Sequence, residues 1–308
     1  MIPCEKDSTT PPMFSIVIPV YNDWISLDQC LQSLRKQSNS PSFEVIVVDD
    51  GSTESAPESI RNPAPGYRLT AIRQSHAGIP AARNHGIRAS KGEVVLFVDA
   101  DCRLRSNCLA ILGETVAHAP QHDYFQLRLL GNRSSLVGRA EELRLMALQE
   151  HMLQPDGRIR YLNTAGFAIR RARAALETDL FDPTALRAED TLLLVNLIQR
   201  GELPLFVPDA VVEHTIQLSF LACLRKDAQS AYLERRAYEI IAAKGVRIRA
   251  TQRERLRLLL AMWKTAGERS IGRLAWITLV FRQTLQRMIS SVYECFGVGL
   301  KPQLNRQA

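Results

Sequence analysis

Apolar positions in the first hundred residues alternate between two spacings. The run FSIVIPV, Phe14 to Val20, is continuous and β-branched, which predicts a strand buried on both faces. From Trp24 to Lys36 the apolar residues Ile25, Leu27, Leu31 and Leu34 fall at helical spacing. FEVIVV, Phe43 to Val48, predicts a second buried strand, stopped by Asp-Asp-Gly-Ser. Tyr67 to Arg73 alternates as a third strand, Ile79 to Ala89 reads as a helix, and EVVLFV, Glu93 to Val98, predicts a fourth strand. Strands alternating with helices imply βαβ units and a mostly parallel sheet with helices on both faces, an α/β fold. Further on, Tyr124 to Leu130 predicts a strand and Leu136 to Met152 a helix. Tyr161 to Ile169 reads as a glycine-containing strand. Glu189 to Arg200 is a helix stopped by Gly201, and two short strands follow at Leu203 to Val207 and Val211 to Thr215. From Ser219 onward the pattern is helical throughout.

The chemistry gathers where the strands end. Tyr21, Asn22 and Asp23 follow the first strand, Asp49 and Asp50 end the second, and Asp99 and Asp101 end the fourth. In a parallel sheet these carboxyl ends share one edge, which is where ligands bind. Asp99 and Asp101 flank a single alanine. Two carboxylates this close repel unless a cation or a donor satisfies them, and a divalent ion shared with substrate phosphates is one solution. A cap for the helix starting near Ser106 is the other. Asp50 accepts the imino N–H of a base, or Asp49 and Asp50 close a turn with Gly51 and Ser52. Glu189 and Asp190 are either reactive carboxylates or favourable charges at a helix N-terminus. No GxGxxG follows the first strand and no GxxxxGK[ST] occurs, which excludes the usual dinucleotide and P-loop sites.

Five segments in order resemble the inverting family-2 glycosyltransferases with the GT-A fold. They are SIVIPVYND (Ser15 to Asp23), VIVVDDGSTE (Val45 to Glu54), GIPAARNHGIRASKGEVVLFVDAD (Gly78 to Asp101), AGFAIRR (Ala165 to Arg171) and EDTLLLVNLIQRG (Glu189 to Gly201). The resemblance covers residues 14–216. It implies a GT-A domain over 14–218 behind a flexible stretch 1–13, and a metal-dependent transfer of one sugar from a nucleotide-sugar donor, UDP-linked, to a glycan or lipid-linked acceptor. By the same resemblance Pro19, Tyr21, Asp50, Arg83 and Asp99 bind the nucleotide-sugar. Gly166 and Glu189 line the donor or acceptor side, Asp101 and His214 hold Mn²⁺ or Mg²⁺, and Asp190 is the base that takes the acceptor proton. Arg83 either faces the diphosphate or pairs with Asp99. The QxxRW motif of processive synthases in this family is missing, which favours single addition. A GT-A domain without catalysis, serving as a binding or assembly module, is the alternative. A sugar nucleotidyltransferase ranks below both, because its Gly-rich opening loop is absent.

Charge changes the picture only at the C-terminal end. Of 39 Lys/Arg and 32 Asp/Glu, the residues from Ser219 onward hold 17 and six, and the rest hold 22 and 26. The basicity therefore belongs to a helical extension, 219–308. In it Leu274, Ile277, Phe281, Leu285, Met288, Val292 and Phe296 form one apolar stripe, with Arg273, Arg282 and Arg287 off it. Leu256, Leu259, Leu260 and Trp263 form a shorter one. Such helices lie on an anionic membrane surface or pack against protein. No nucleic-acid-binding module is recognisable, so nucleic acid is not an expected partner. No apolar run is long enough to span a bilayer, and the polar N-terminus lacks a signal-peptide pattern. With six scattered cysteines and no CxxC, the expected location is cytoplasmic, peripheral at the inner membrane face.

Overall fold

The computed structural model describes residues 10–61, 66–185, 187–215, 219–246, 251–269 and 271–296. Cys4 and most of the stretch 1–13 lie outside them, as do the side chains of Val292, Cys295 and Phe296. The strands are β1 (Phe14–Val20), β2 (Phe43–Asp49), β3 (Arg68–Arg73), β4 (Val94–Phe97), β5 (Cys102–Leu104), β6 (Tyr124–Gly131), β7 (Phe167–Arg170) and β8 (Leu205–His214). The helices are α1 (Trp24–Arg35), α2 (Glu58–Arg61), α3 (Ile79–Ala89), α4 (Cys108–His118), α5 (Leu136–Met152), α6 (Arg171–Ala174), α7 (Glu189–Arg200), α8 (Phe220–Ala243), α9 (Gln252–Glu268) and α10 (Arg273–Phe296).

All strands join one sheet in the order β3-β2-β1-β4-β7-β6-β8-β5. The first four run parallel, β7 is antiparallel to both β4 and β6, and β8 is parallel to β6 and antiparallel to β5. Strand order reverses at β1, which pairs with both β2 and β4. A crevice therefore opens beyond the carboxyl ends of β1 and β4. All seven residues of β1 are buried, as its unbroken apolar run requires. One face of the sheet packs on α1 and α4 through Leu27, Leu31, Leu109 and Leu112. The other packs through Ala82 of α3 and Leu193, Leu194 and Leu197 of α7. Helix ends follow their local chemistry. Asp23 caps α1, Ser135 caps α5, and Gly201, in the left-handed region at φ 73°, closes α7.

Three expectations change. The glycine-containing strand from Tyr161 is only β7; Thr164–Gly166 is a single 3₁₀ turn, capped by the Asn163 side chain. The two short strands after α7 are one ten-residue strand, β8, which carries Pro208 where its pairing with β6 shifts register. A bulge tolerates the missing N–H. Between Asp101 and α4 lies the three-residue strand β5, too short to carry a periodicity. The described cysteines Cys30, Cys102, Cys108 and Cys223 are free and buried.

The C-terminal helices dock on the sheet's own helices. Met262 and Ala266 of α9, with Ile271, Ala275 and Leu279, pack on Ala140, Leu143, Met146 and Ala147 of α5. Ala237 and Ile241 of α8 pack on Leu192 and Val195 of α7. Arg282 of α10 makes a two-pronged ion pair with Asp227 of α8, both bonds 2.8 Å. The docked face of α10 is therefore not the predicted stripe: Leu274, Ile277, Phe281 and Met288 are exposed. No helix among the described residues is long and apolar enough to cross a membrane.

Candidate active site

The crevice is built first from two turns. Asn22, at φ 53°, ends β1 and accepts bonds from the Thr53 N–H at 2.8 Å and hydroxyl at 3.0 Å; its own N–H donates to Ser52 Oγ at 2.9 Å. Asp49 accepts from the Ser52 N–H at 2.8 Å, closing the turn after β2, and Arg73 lies 3.3 Å from its other oxygen. The left-handed Gly51 is required there, because a Cβ would sit 2.8 Å from the His76 nitrogen. Asp50, read as a base receptor or as part of the turn, is engaged by the loop after β3. Its buried carboxylate accepts from Gln74 Nε2, the Ala77 N–H and the Gly78 N–H at 2.8–2.9 Å, and His76 Nδ1 lies 2.9 Å away. A carboxylate has about four acceptor sites, so these bonds fill it. Tyr21 stacks on His76 with ring centroids 4.4 Å apart, at the crevice rim. Pro19 is buried inside β1 opposite Val48.

Arg83 settles the choice left open for it. It is 2% exposed, and it donates to Asp99 Oδ1 and to Glu189 Oε1, both at 2.6 Å. Its guanidinium lies 5.6 Å over the Phe181 ring. Burial works against its charge, but the two carboxylates outweigh this and hold its pKa above the ordinary value. A buried arginine engaged this way does not reach a diphosphate. Beside it, Asn84 holds the segment before α7, donating to the Phe181 carbonyl at 2.7 Å and accepting from the Phe181 N–H at 3.0 Å. Asn84 was missed from the sequence and Asn22 was noted only as a polar strand end, although both lie inside the quoted motifs.

Asp99 and Asp101 thus part company. Asp99 faces Arg83, whereas Asp101 faces His214, with Oδ2 to Nε2 at 3.0 Å. The pairing of β5 with β8 sets this up, because Cys102 is in register with His214 and the Thr215 N–H donates to the Asp101 carbonyl at 2.9 Å. Burial would raise the Asp101 pKa, but the His214 bond and charge outweigh it and hold it low. Burial opposes charge on His214, and Asp101 overrides that, raising its pKa. Ligand atoms of Asp101, Cys102 and His214 lie within 4.8 Å of one another. Burial pushes the Cys102 thiol well up. The carboxylate and imidazole suit a divalent ion of the Mn²⁺ type, with further positions left for phosphate and water oxygens.

Glu189 and Asp190 open α7. Ala188 before them is left-handed, at φ 63°, an uncommon state for a residue with a Cβ. Asp190 keeps partial solvent access within dense surroundings. Burial, then repulsion from Glu189, raise its pKa to about 7, although Thr191 donates both its N–H and its hydroxyl to Oδ1. Glu141 of α5 completes this side; burial would raise its pKa, but the Arg144 pair lowers it to about 2. Gly166 does not line the crevice. It is buried, with the position of a Cβ 3.4 Å from Leu127 and 3.5 Å from Val212, and its carbonyl accepts from Gln126.

One prediction follows from the arginine. Arg83→Met leaves Asp99 and Glu189 uncompensated. Denaturant unfolding should show a loss of about 3–5 kcal/mol, the scale for removing one partner of a buried ion pair. A loss below about 1 kcal/mol would mean that water already screens the two carboxylates.

The Glycosyl transferase family 2 model matches residues 15–176. Glycosyltransferase AglE of Haloferax volcanii is 37% identical over 98 residues, 31% of this chain and 32% of that protein. The matched segments span about a quarter to a third of the length of the curated relatives. S. aureus TarS 1-349 in complex with UDP-GlcNAc superposes with a TM-score of 0.54 at 18% identity, over 91% of each chain. The mannosyltransferase PcManGT from Pyrobaculum calidifontis, in complex with GDP-Man and Mn²⁺, gives 0.54 at 17% identity, over 94% of this chain and 82% of that one. These likenesses establish the GT-A fold. The family match takes in just over half of the residues, from β1 to the end of α6, and the chain belongs to glycosyl transferase family 2.

Proposed function

We propose that the chain is a metal-dependent, inverting glycosyltransferase that adds one sugar from a nucleotide-sugar donor to a glycan or lipid-linked acceptor. Residues 14–218 form the transferase domain and 219–308 its helical extension. The observation that carries the reading is Asp190. It is a carboxylate with a pKa raised to about 7, next to Glu189, which Arg83 ties to Asp99, two residues before the Asp101 of the Asp101–His214 pair. Among the fold neighbours, TarS is seen with UDP-GlcNAc and PcManGT with GDP-Man and Mn²⁺, which supports a nucleotide-sugar, UDP-linked by preference, and Mn²⁺ or Mg²⁺.

The chemistry divides between the two ends of the crevice. Tyr21 offers its ring face at the rim where the base enters. Asp101 and His214 would hold the divalent ion, whose contribution is to offset charge developing on the departing nucleoside diphosphate. Asp99, oriented by Arg83, meets the donor sugar or ribose. At the other end Asp190 accepts the proton of the acceptor hydroxyl. The hydroxyl oxygen bonds to the anomeric carbon as the bond to the diphosphate breaks, and the configuration inverts. A base with a pKa near the working pH is half-ionised yet still basic, the compromise that favours proton transfer.

The direct test is turnover of a panel of sugar nucleotides with and without Mn²⁺, with Asp190→Asn as the control. That variant should bind donor within a few-fold of the unaltered protein and transfer roughly 10²–10⁴ times more slowly. Unchanged transfer would leave Asp190 as a helix cap. The pH profile follows from the raised pKa. Activity should fall as pH drops through about 7, because protonation removes the base. Stability has the opposite sign. The unfolded carboxyl titrates near about 4, so ionisation of Asp190 destabilises the fold as pH rises toward 7. Asp190→Asn should therefore melt higher than the unaltered protein at alkaline pH and lose that advantage in acid. Asp101→Ala should weaken Mn²⁺-dependent binding of a nucleoside diphosphate by roughly 100-fold or more in calorimetry, with the fold intact. Unchanged affinity and unchanged metal dependence in Asp101→Ala would remove Asp101 from the metal site.

A further inference from the structure

Thirteen large apolar side chains are exposed among the described residues, and nine of them fall after residue 219. They follow a pattern. On α9 they are Leu256, Leu260 and Trp263, spaced four and three apart; on α10 they are Leu274, Ile277, Phe281 and Met288. At 100° per residue each set covers one narrow stripe, about 110° from the docked face on α9 and about 150° from it on α10. The stripes adjoin. Trp263 meets Trp276 of α10 edge to face at 4.9 Å, and Phe281 stacks with Phe220 of α8 at 6.2 Å. Leu221 extends the patch and is 68% exposed. An apolar surface of this kind on a soluble chain marks a docking site.

The charges beside it identify the occupant. Arg253, Arg257 and Lys264 line one flank of the α9 stripe, and Arg273 and Arg287 flank that of α10, all exposed. Arg273 lies 4.9 Å over the Trp263 ring. The acids nearby are already engaged: Asp227 by Arg282, Glu254 in the capping box of α9, and Glu268 by Lys264 itself in an exposed pair at 3.7 Å, which leaves Arg253, Arg257, Arg273 and Arg287 as the larger share of the charge. The Arg287 pKa is lowered, first by burial and then by the neighbouring Arg255. Two copies placed face to face would oppose these like charges, whereas an anionic surface would neutralise them.

We propose that α9, α10 and the start of α8 form a platform that lies on an anionic lipid surface, with the Leu, Ile, Phe and Trp side chains in the interface and the Arg and Lys side chains on the headgroups. The helices lie on the bilayer and do not cross it. Phe220 is six residues beyond His214, within about 20 Å of chain. The start of the platform is therefore within chain reach of His214. That it presents a lipid-linked acceptor to Asp190 rests on the transferase reading; the lipid contact itself does not.

Vesicle flotation of the full chain tests the contact without any activity. Vesicles of phosphatidylcholine and phosphatidylglycerol, about two to one, should carry the protein, and vesicles of phosphatidylcholine alone should not. High salt should release it, because exposed charges are screened. Ile277→Asp/Phe281→Asp should stay in solution with an unchanged circular dichroism spectrum. Arg253→Gln/Arg257→Gln/Lys264→Gln alters only exposed side chains. It should partition roughly 100-fold more weakly, at about fivefold per charge, and it decides the question if the first variant fails to fold. Failure to float with anionic vesicles, or equal flotation with neutral ones, overturns the proposal. So does a dimer in sedimentation analysis that Ile277→Asp/Phe281→Asp disperses, which would assign the face to a second copy. Binding to vesicles by a chain that turns over no sugar nucleotide would uphold the platform and sink the transferase reading.

Discussion

A single buried cation holds the candidate site together. Parallel strands bring acidic chain ends to one edge of the sheet, and these carboxylates repel. Arg83, on α3, answers two of them at once, Asp99 after β4 and Glu189 at the start of α7. Taking the guanidinium out of water carries a penalty of several kcal/mol, which only paired charges in good geometry offset. The two short bonds meet that condition. They also fix where α7 begins relative to the sheet, a relation that no local sequence preference could set.

The other carboxylates take their roles from what Arg83 leaves over. Asp99 is turned toward the arginine, so Asp101 alone of the Asp-Ala-Asp pair meets His214 across the β5–β8 ladder. Glu189 is neutralised directly, whereas Asp190 is crowded by Glu189 and reached by Arg83 only as a weaker influence, behind burial. One neighbour is thus held in an ion pair, and the other is tuned toward neutrality. The same crowding that prepares Asp190 to take a proton makes its ionised form a liability to the fold, a familiar opposition between function and stability.

Much of this was legible in the chain. Unbroken β-branched runs gave β1, β2 and β4 nearly to the residue, and α5 was read with its correct ends, because burial and capping are local signals. The acidic strand ends were placed correctly on one edge. What was lost depends on distant contacts. Glu189 lies 106 residues from Arg83, so the pairing that removes Arg83 from the diphosphate has no signature near either residue. Asp50 looked free because its four partners sit on a loop more than twenty residues away. β5 is three residues long, and Pro208 disguised one strand as two. On α10 the largest apolar residues mark the exposed face. Ala275, Thr278 and Leu279 are buried instead, with Ala275 and Leu279 packed among Ala140 and Ala147 of α5, where small side chains let the helices approach. Hydrophobic periodicity weights size, so the stripe it picked out is the exposed one and not the docked face.

The left-handed backbone at Ala188 bears on how well the candidate base is aimed. Glycine adopts φ 63° without penalty, whereas alanine there stores on the order of 1 kcal/mol of strain. Alanine also has far fewer conformations open to it, so the hinge into α7 has little room to wander. With glycine the same turn would sit in a broad, shallow well, and the direction of the Asp190 carboxylate would blur with every fluctuation of the segment before it. The methyl group at position 188 exchanges a little stability for angular precision, one residue before Glu189 and two before Asp190.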